Sequence, residues 1–431
     1  MSGEQQMVII DGARTPFCKA GTSLKKAKAG DLATHVFREV LDRTGVDPAE
    51  IDEVILGCGG PGPDEANVAR VASLRAGVPA EVPAVTVMRN CASGMEALNA
   101  ARMRMRAGDG DLFLIGGSES MSNIPMLMGE KLVNFFTRLS KARSLGQKLR
   151  TLAGFRPSFL APRLAIVEGL TDAVSGLMMG NTAENLARRF GISREAQDLY
   201  ALASHRKAAA AQQSEAMRGE IAPITVGPDY AEMVASDNGV RPDQTIESLA
   251  RLKPIFDRRE GDVTVGNSCQ VTDGAAALLV ASESKARELG LDSLAVIRGH
   301  GRAGLDPTIM GLGPVHATPL ALRDAGISFE DLDMFEINEA FAAQVLACLS
   351  AFADEDYCRK QLGLSDALGE VPEDRLNIHG GAIALGHPIG ATGARIVLAL
   401  AHQLRDHDKR FGLASLCIGG GQGQAFVLEA A

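Results

Sequence analysis

The chain has 431 residues, 46% hydrophobic and 23% charged, enough apolar sequence to bury a large core spread over more than one structural unit. A formal net charge of -9 argues against a nucleic-acid partner, and no apolar run reaches the ~18–20 residues needed to span a bilayer. Seven scattered cysteines without C-x-x-C spacing read as reduced thiols, and the opening MSGEQQMVIIDGARTPF lacks the basic start and apolar core of a secretory leader, so a cytoplasmic chain is expected.

In chain order, strand-like runs fall at 7–11, 53–57, 83–88 and 111–116, alternating with helical patterns at 30–44, 66–76 and 93–107. This rhythm predicts an α/β fold with a mostly parallel, helix-covered sheet. Residues 1–120 make the first half, rejoined by 251–290, where VTVGN…AAALLVAS returns to strand character. Between them, 121–250 breaks the rhythm and reads as an inserted helical loop domain, with NTAENLARRF and SREAQDLYALASHRKAAAAQQ among its helices. A second half occupies 291–431.

Within the insertion, 131–163 holds eight Lys or Arg and no acidic residue. Leu132, Phe135, Phe136 and Leu139, then Leu145, Leu149 and Leu152, are spaced for an amphipathic helix pair. A basic amphipathic pair suits a membrane surface or a partner protein; the competing reading is a flap packed on the chain's own core.

The chemistry gathers at three positions. Cys91, in Asn-Cys-Ala-Ser-Gly, sits where a β-branched run (Val85, Thr86, Val87) gives way to helical sequence. A thiol at a helix start is expected to have a lowered pKa and to act as a nucleophile, although many free cysteines are simply small buried hydrophobes. His387 lies in Gly386-His-Pro-Ile-Gly390, opening onto a helix, and Cys417 ends a strand and precedes Gly419, Gly420 and Gly421. Glycines there let backbone approach a ligand and leave N–H groups free for an oxyanion. Both blocks run loop, helix, strand, which suggests an internal duplication with two halves facing one cleft. Glu339, beside Asn338, either orients the site or pairs with a cation. His316 and His379 read as hydrogen-bonding loop histidines, and Met103, Met105, Met121, Met126 and Met128 read as core packing.

Eight segments in one order carry a resemblance along nearly the whole chain: DGARTPF (11–17), NCASGMEALNAA (90–101), GGSESMS (116–122), MGNTAENLA (179–187), VGNSCQVTDGAAALL (265–279), NEAFAAQ (338–344), GGAIALGHPIGATGAR (380–395) and CIGGGQG (417–423). Together they resemble the thiolases. The resemblance implies a duplicated, five-layered α-β-α-β-α fold and a ping-pong acyl transfer between acyl-CoA and 3-ketoacyl-CoA. It implies no metal and no cofactor beyond coenzyme A as co-substrate.

By that resemblance Cys91 is the acylated nucleophile, and His387 takes its proton and helps bind the thioester oxygen. Asn338 holds a water that completes this oxyanion hole. Cys417 is the acid/base for the carbon, expected near neutral pKa, and the N–H groups of Cys91 and Gly419 form a second oxyanion hole. Many short thiolases carry Ser at the position of Cys269 and His at that of Met178, so these two mark where CoA seating departs from the common pattern. The basic segment resembles the insertion in thiolase subunits of long-chain fatty-acid oxidation complexes, its cations either near CoA phosphates or on a partner or membrane surface. A degradative β-oxidation enzyme, a homodimer or homotetramer with a hydratase/dehydrogenase subunit as candidate partner, is the expectation, cytoplasmic or peripheral to a membrane. The alternatives are a biosynthetic acetoacetyl-CoA thiolase, a decarboxylating condensing enzyme, for which Cys417 would be out of pattern, and an idle thiolase-like lipid carrier or scaffold.

Overall fold

A computed structural model describes residues 6–227, 230 and 232–431; the first five positions of the N-terminal stretch considered above lie outside it. The first half runs β1 (Met7–Arg14), α1 (Ala29–Thr44), β2 (Glu53–Gly57), α2 (Val68–Ala76), β3 (Ala84–Val87), α3 (Ser93–Ala107) and β4 (Leu112–Ser120). Residues 124–171 cluster as a compact unit of their own, containing α4 (Glu130–Lys141) and α5 (Leu145–Ala153). The main unit resumes with α6 (Met179–Phe190), α7 (Arg194–Gln213) and β5 (Thr272–Ser282). The second half is β6 (Ala295–Gly304), α8 (Gly313–Ala325), β7 (Met334–Ile337), α9 (Ala342–Ala353), α10 (Ile389–Asp406), β8 (Phe411–Ile418) and β9 (Gln422–Ala430). Of the stretch 121–250, then, only 124–171 is compact by itself. Ala183, Leu186 and Ala187 of α6 share a core with Ala343 and Ala347 of α9, and Ala201 and Leu202 of α7 pack with Ala342 and Ile383.

The strands pair in the order β7-β8-β9-β6-β1-β5-β4-β2-β3, with Cys18–Lys19 added against β5. The duplication is explicit in the pairing. From β1 to β5 to β4 to β2 the senses are antiparallel, antiparallel, parallel, and from β6 to β9 to β8 to β7 they are the same. The halves join where Met7–Ile9 pair with Ala295–Ile297. The mostly parallel sheet expected from the sequence is corrected: antiparallel pairs predominate. The reason is that β5 and β9 return beside the strand they follow in the sheet, and β8 turns into β9 through Gly419–Gly421, far too short for a crossover.

Side-chain alternation sorts the strands into layers. Val54 and Leu56 of β2 face α1, while Ile55 between them faces a middle core shared with α3 and α10. In the second half Ala414 and Leu416 face that same middle core, while Leu413 and Cys417 face α8 and α9. The result is the α-β-α-β-α layering. α10 is buried continuously from Gly390 to Leu404, as a helix enclosed on every side must be. α3 and α10 touch through glycine. An added Cβ at Gly94 would stand 2.7 Å from the Ala394 nitrogen and 3.0 Å from the Gly390 oxygen, and one at Gly393 would stand 2.5 Å from the Met95 nitrogen. Cys91 and His387 each lie three residues before these contact glycines, so the loops that carry them are neighbours.

Candidate active site

Cys91 leaves β3 through a turn made by Asn90, whose φ of 45° is in the left-handed region that Asn tolerates. The Asn90 carboxamide donates to the Gly419 carbonyl at 2.8 Å, tying the start of α3 to the turn after β8. The Arg89 N–H donates to Ser93 Oγ at 2.9 Å and that hydroxyl donates to the Asn90 carbonyl at 2.8 Å, closing the strand-to-helix turn. Part of the Cys91 surface reaches solvent, but its surroundings are mostly protein. Burial pushes the thiol above its ordinary value, and the N–H groups of Gly419 and of Cys91 itself pull it partly back. The lowered pKa expected at a helix start is therefore corrected: desolvation outweighs the backbone dipoles. At rest Cys91 is a neutral thiol that needs a base.

His387 is that kind of group. Its Nδ1 lies 2.6 Å from Thr392 Oγ1, and the Thr392 hydroxyl donates to the Pro388 carbonyl at 3.0 Å. With the hydroxyl proton committed to Pro388, Thr392 accepts from Nδ1–H, which leaves Nε2 with its lone pair. Nε2 is buried and has no hydrogen-bond partner among the described residues. Burial, and after it the charge of Arg395, pushes the imidazole down to about 4, so it is neutral near pH 7. The ring is a pre-oriented acceptor.

The segment 267–270 binds the remaining pieces together. The Cys269 N–H donates to the Ala340 carbonyl at 3.0 Å, the Asn267 carbonyl accepts from Ala342 at 2.9 Å, and the Gln270 carbonyl accepts from the His387 N–H at 3.1 Å. The Asn338 N–H donates to the Ser415 carbonyl at 3.0 Å, which sets Asn338 beside β8, two residues short of Cys417. Both polar atoms of the Asn338 carboxamide are buried without a partner among the described residues. Cys417 is 1% exposed, and burial raises its thiol well above the ordinary value, with Cys91, Cys348 and Cys269 adding to the effect. Cys269 is pushed up to about 12 by burial and then by Cys91. Cys417 senses Cys91 and Cys269, and Cys269 senses Cys91, so the three sulfurs lie within electrostatic reach of one another. The near-neutral Cys417 expected from the sequence is also corrected: desolvation holds its proton on, which makes it an acid at rest. Gly420 and Gly421 take φ of 92° and 78°, leaving the Gly419 turn no alternative to glycine there.

Residues 7–284 match the thiolase N-terminal domain and residues 291–430 match the thiolase C-terminal domain. The chain belongs to the thiolase family. It is 41% identical over 425 residues to the 3-ketoacyl-CoA thiolase of Pectobacterium atrosepticum, covering 98% of this chain and 96% of that one. The Yersinia pestis 3-ketoacyl-CoA thiolase is 40% identical, over 98% of this chain and 97% of its own. Among solved structures, the Bacillus anthracis acetyl-CoA acetyltransferase superposes with a TM-score of 0.86 at 39% identity, covering 100% of both chains. Human mitochondrial 3-ketoacyl-CoA thiolase in complex with CoA gives 0.85 at 35% identity, over 99% of this chain and 98% of that one.

In this thiolase several framing residues escape a reading by sequence spacing. Glu119, fully buried at the end of β4, accepts from the N–H groups of Gly59, Gly60 and Gly390 at 2.8, 3.0 and 3.0 Å, pinning the start of α10 to the first half. Burial raises it; its signal was an acid at the end of the apolar run Leu112–Gly117. Glu339 bonds to neutral donors rather than to a cation. It accepts from Tyr200, Ser204, Asn377 and the Ile383 N–H at 2.7–3.1 Å, and it has no cationic partner among the described residues. Met178 precedes α6, with its N–H on Asn181 at 3.2 Å; the sulfur that reaches the Gly419 turn belongs to the next residue, Met179, 3.1 Å from where a Gly419 Cβ would stand. His316 bonds Tyr357 at 2.9 Å and His379 stands near the His407 ring, so neither joins the site. Of the segment 116–122, Gly116 to Ser120 are buried strand. Met105 and Met121 are core, while Met103, Met126 and Met128 are exposed.

Proposed function

We propose that this thiolase catalyses CoA-dependent cleavage of 3-ketoacyl-CoA to acetyl-CoA and a shortened acyl-CoA, as in fatty-acid β-oxidation. Its support is a neutral thiol and a bare, buried imidazole nitrogen carried on neighbouring loops. His387 Nε2 takes the Cys91 proton, and the thiolate attacks the C3 carbonyl. The oxygen that becomes negative is met by the N–H groups of Cys91 and Gly419. As the C2–C3 bond breaks, the enolate oxygen is held by the protonated His387 and, through water, by Asn338; Cys417 gives its proton to the carbon. The thiol of incoming CoA then attacks the acyl-Cys91 and loses its proton to Cys417, while Cys91 leaves and recovers its own from His387. Cys269 and Met178 are assigned to seating CoA, with Met179 at the Gly419 turn, and coenzyme A is a co-substrate rather than a resident cofactor.

Acylation followed by peptide mass spectrometry tests this: incubation with an acyl-CoA should place the acyl group on Cys91. Full acylation of Cys91→Ala elsewhere in the chain would overturn the assignment. A biosynthetic acetoacetyl-CoA thiolase is the second reading, favoured by the resemblance to the acetyl-CoA acetyltransferase structure; turnover across ketoacyl chain lengths separates the two. The decarboxylating condensing enzyme is disfavoured by Cys417, and the idle lipid carrier or scaffold by the presence of all four polar groups.

We also infer a homodimer or higher homo-oligomer. β3 is an edge strand with a strand partner on one side only among the described residues, and Met88 beyond it is exposed. Light scattering showing a fully active monomer would refute this. The segment 131–163 is assigned to a partner subunit or an anionic membrane surface: seven of its eight cations lack an ion pair among the described residues, and α5 buries none of its residues. No helix among the described residues is long and apolar enough to cross a membrane.

A further inference from the structure

The working atoms of Asn338 and His387 have no tethers of their own. The Asn338 carboxamide and His387 Nε2 are buried and unpartnered, so their separation depends on the elements that carry them. Asn338 follows β7 directly, and His387 lies just ahead of α10. One buried polar tie joins those elements. Arg395 of α10 donates to Glu336 of β7 at 3.0 Å, and Gln403, two turns further on, donates to the other Glu336 oxygen at 2.9 Å. Glu336 and Arg395 are 1% and 2% exposed. Glu336 stands two residues before Asn338, and Arg395 about 9 Å along the helix from its first residue at 1.5 Å per residue.

A buried ion pair is a poor device for stability. The desolvation of two charges roughly cancels their attraction, and apolar replacement of both partners is often neutral or stabilising. Arg395 moreover leaves its Nε and Nη2 buried and unsatisfied, which makes this pair costlier still. Packing alone would have joined β7 to α10 with aliphatic side chains, as Met334, Ile396 and Leu400 do nearby. Two features suit the charged pair to another role. It is directional, fixing the register of α10 against β7 in a way that aliphatic contacts do not. It also places a permanent cation within electrostatic reach of His387.

We propose that Glu336 and Arg395 are positioning residues, a buried clamp that sets the Asn338–His387 separation and keeps a positive charge on α10, the helix that follows His387. This rests on the thiolase reading given above. A displacement of about 1 Å in a reacting group costs about 100-fold, so losing the clamp should lower kcat by about 10- to 100-fold with KM for CoA within about threefold.

The test compares Arg395→Met, Arg395→Lys, Glu336→Gln and the double variant Glu336→Met/Arg395→Met, each by thermal unfolding and by single-turnover acylation of Cys91 across pH. The double variant also removes the partner of the buried Gln403 amide, so it is expected to stay folded with a somewhat lower unfolding temperature and to acylate at least tenfold more slowly. Arg395→Met should move the acid limb of the acylation profile to higher pH, because the nearby cation no longer opposes protonation of His387; burial pushes Glu336 up to about 7, so it titrates nearby, and Glu336→Gln removes its contribution. Arg395→Lys should restore that limb while leaving the rate depressed, since the ammonium keeps the charge and loses the planar geometry. A stable double variant with parental rate and an unmoved acid limb would overturn the proposal. Should Arg395→Met fail to fold, Arg395→Lys and Glu336→Gln still decide: parental rates in both would refute the clamp. His387→Ala serves as the separate control, since full acylation without His387 would remove the thiolase assignment itself.

Discussion

Replacing Thr392 by Val should cripple acylation while leaving the fold intact. The two side chains are nearly isosteric, so packing under α10 is preserved and only the hydroxyl is lost. That hydroxyl accepts the His387 Nδ1–H at 2.6 Å in a buried setting. Without it the Nδ1–H faces a methyl group, and an unsatisfied buried donor costs about 1–3 kcal/mol. The imidazole escapes part of that cost by moving its proton to Nε2, the nitrogen that must be bare to accept from Cys91. Either way the competent tautomer is disfavoured, and at about 1.4 kcal/mol per tenfold the acylation rate should fall about 5- to 150-fold. Stopped-flow acylation with a short acyl-CoA measures the step directly, and Thr392→Ser should remain near the parental rate because it keeps the oxygen. Acylation by Thr392→Val within about twofold of the parent would show that the hydroxyl does not set the tautomer, and the assignment of His387 as base would lose its structural support.

Cys417→Ser and His387→Ala should separate two roles: loss of His387 should stop every half-reaction, while loss of the Cys417 thiol should spare acylation from simple acyl-CoAs more than carbon–carbon cleavage, and equal losses throughout would contradict the division of labour. His387 should also make the fold acid-sensitive. Its folded value, about 4, lies below the ordinary 6.5, so stability is complete above about pH 6.5 and declines as pH falls toward 4. The shift corresponds to about 2 kcal/mol lost by pH 5, read as a lower urea midpoint that His387→Ala should partly flatten; a slope unchanged by the substitution would refute it. Neutralising Lys141, Arg143, Lys148 and Arg150 should weaken binding to anionic vesicles or a partner subunit by about 1 kcal/mol per cation at low salt, with turnover on short ketoacyl-CoAs unchanged. A raised KM for CoA with no change in vesicle or partner binding would instead mark 131–163 as a CoA-facing flap.

The local features of this chain were legible from its residues. The strands β1, β2, β3 and β4 and the helices α1, α2 and α3 follow from apolar periodicity and glycine stops, which act over a few residues. So did the identity of the reactive groups, because a thiol in Asn-Cys-Ala-Ser-Gly and a histidine in Gly-His-Pro-Ile-Gly need only turn chemistry to be presented. Strand direction did not follow, since pairing β5 between β1 and β4 spans more than 150 residues and depends on which edges meet. Protonation did not follow either: Cys91 and Cys417 hold their protons, and His387 lacks one, because of how much protein surrounds them. The partners that fix the site are equally remote in sequence, with Glu119 reaching Gly390 across 271 positions and Glu339 reaching Ser204 across 135. Pattern and composition act locally and set which groups are present. Desolvation and long-range hydrogen bonds exist only after the chain has closed on itself, and they decide what charge those groups carry and where they point.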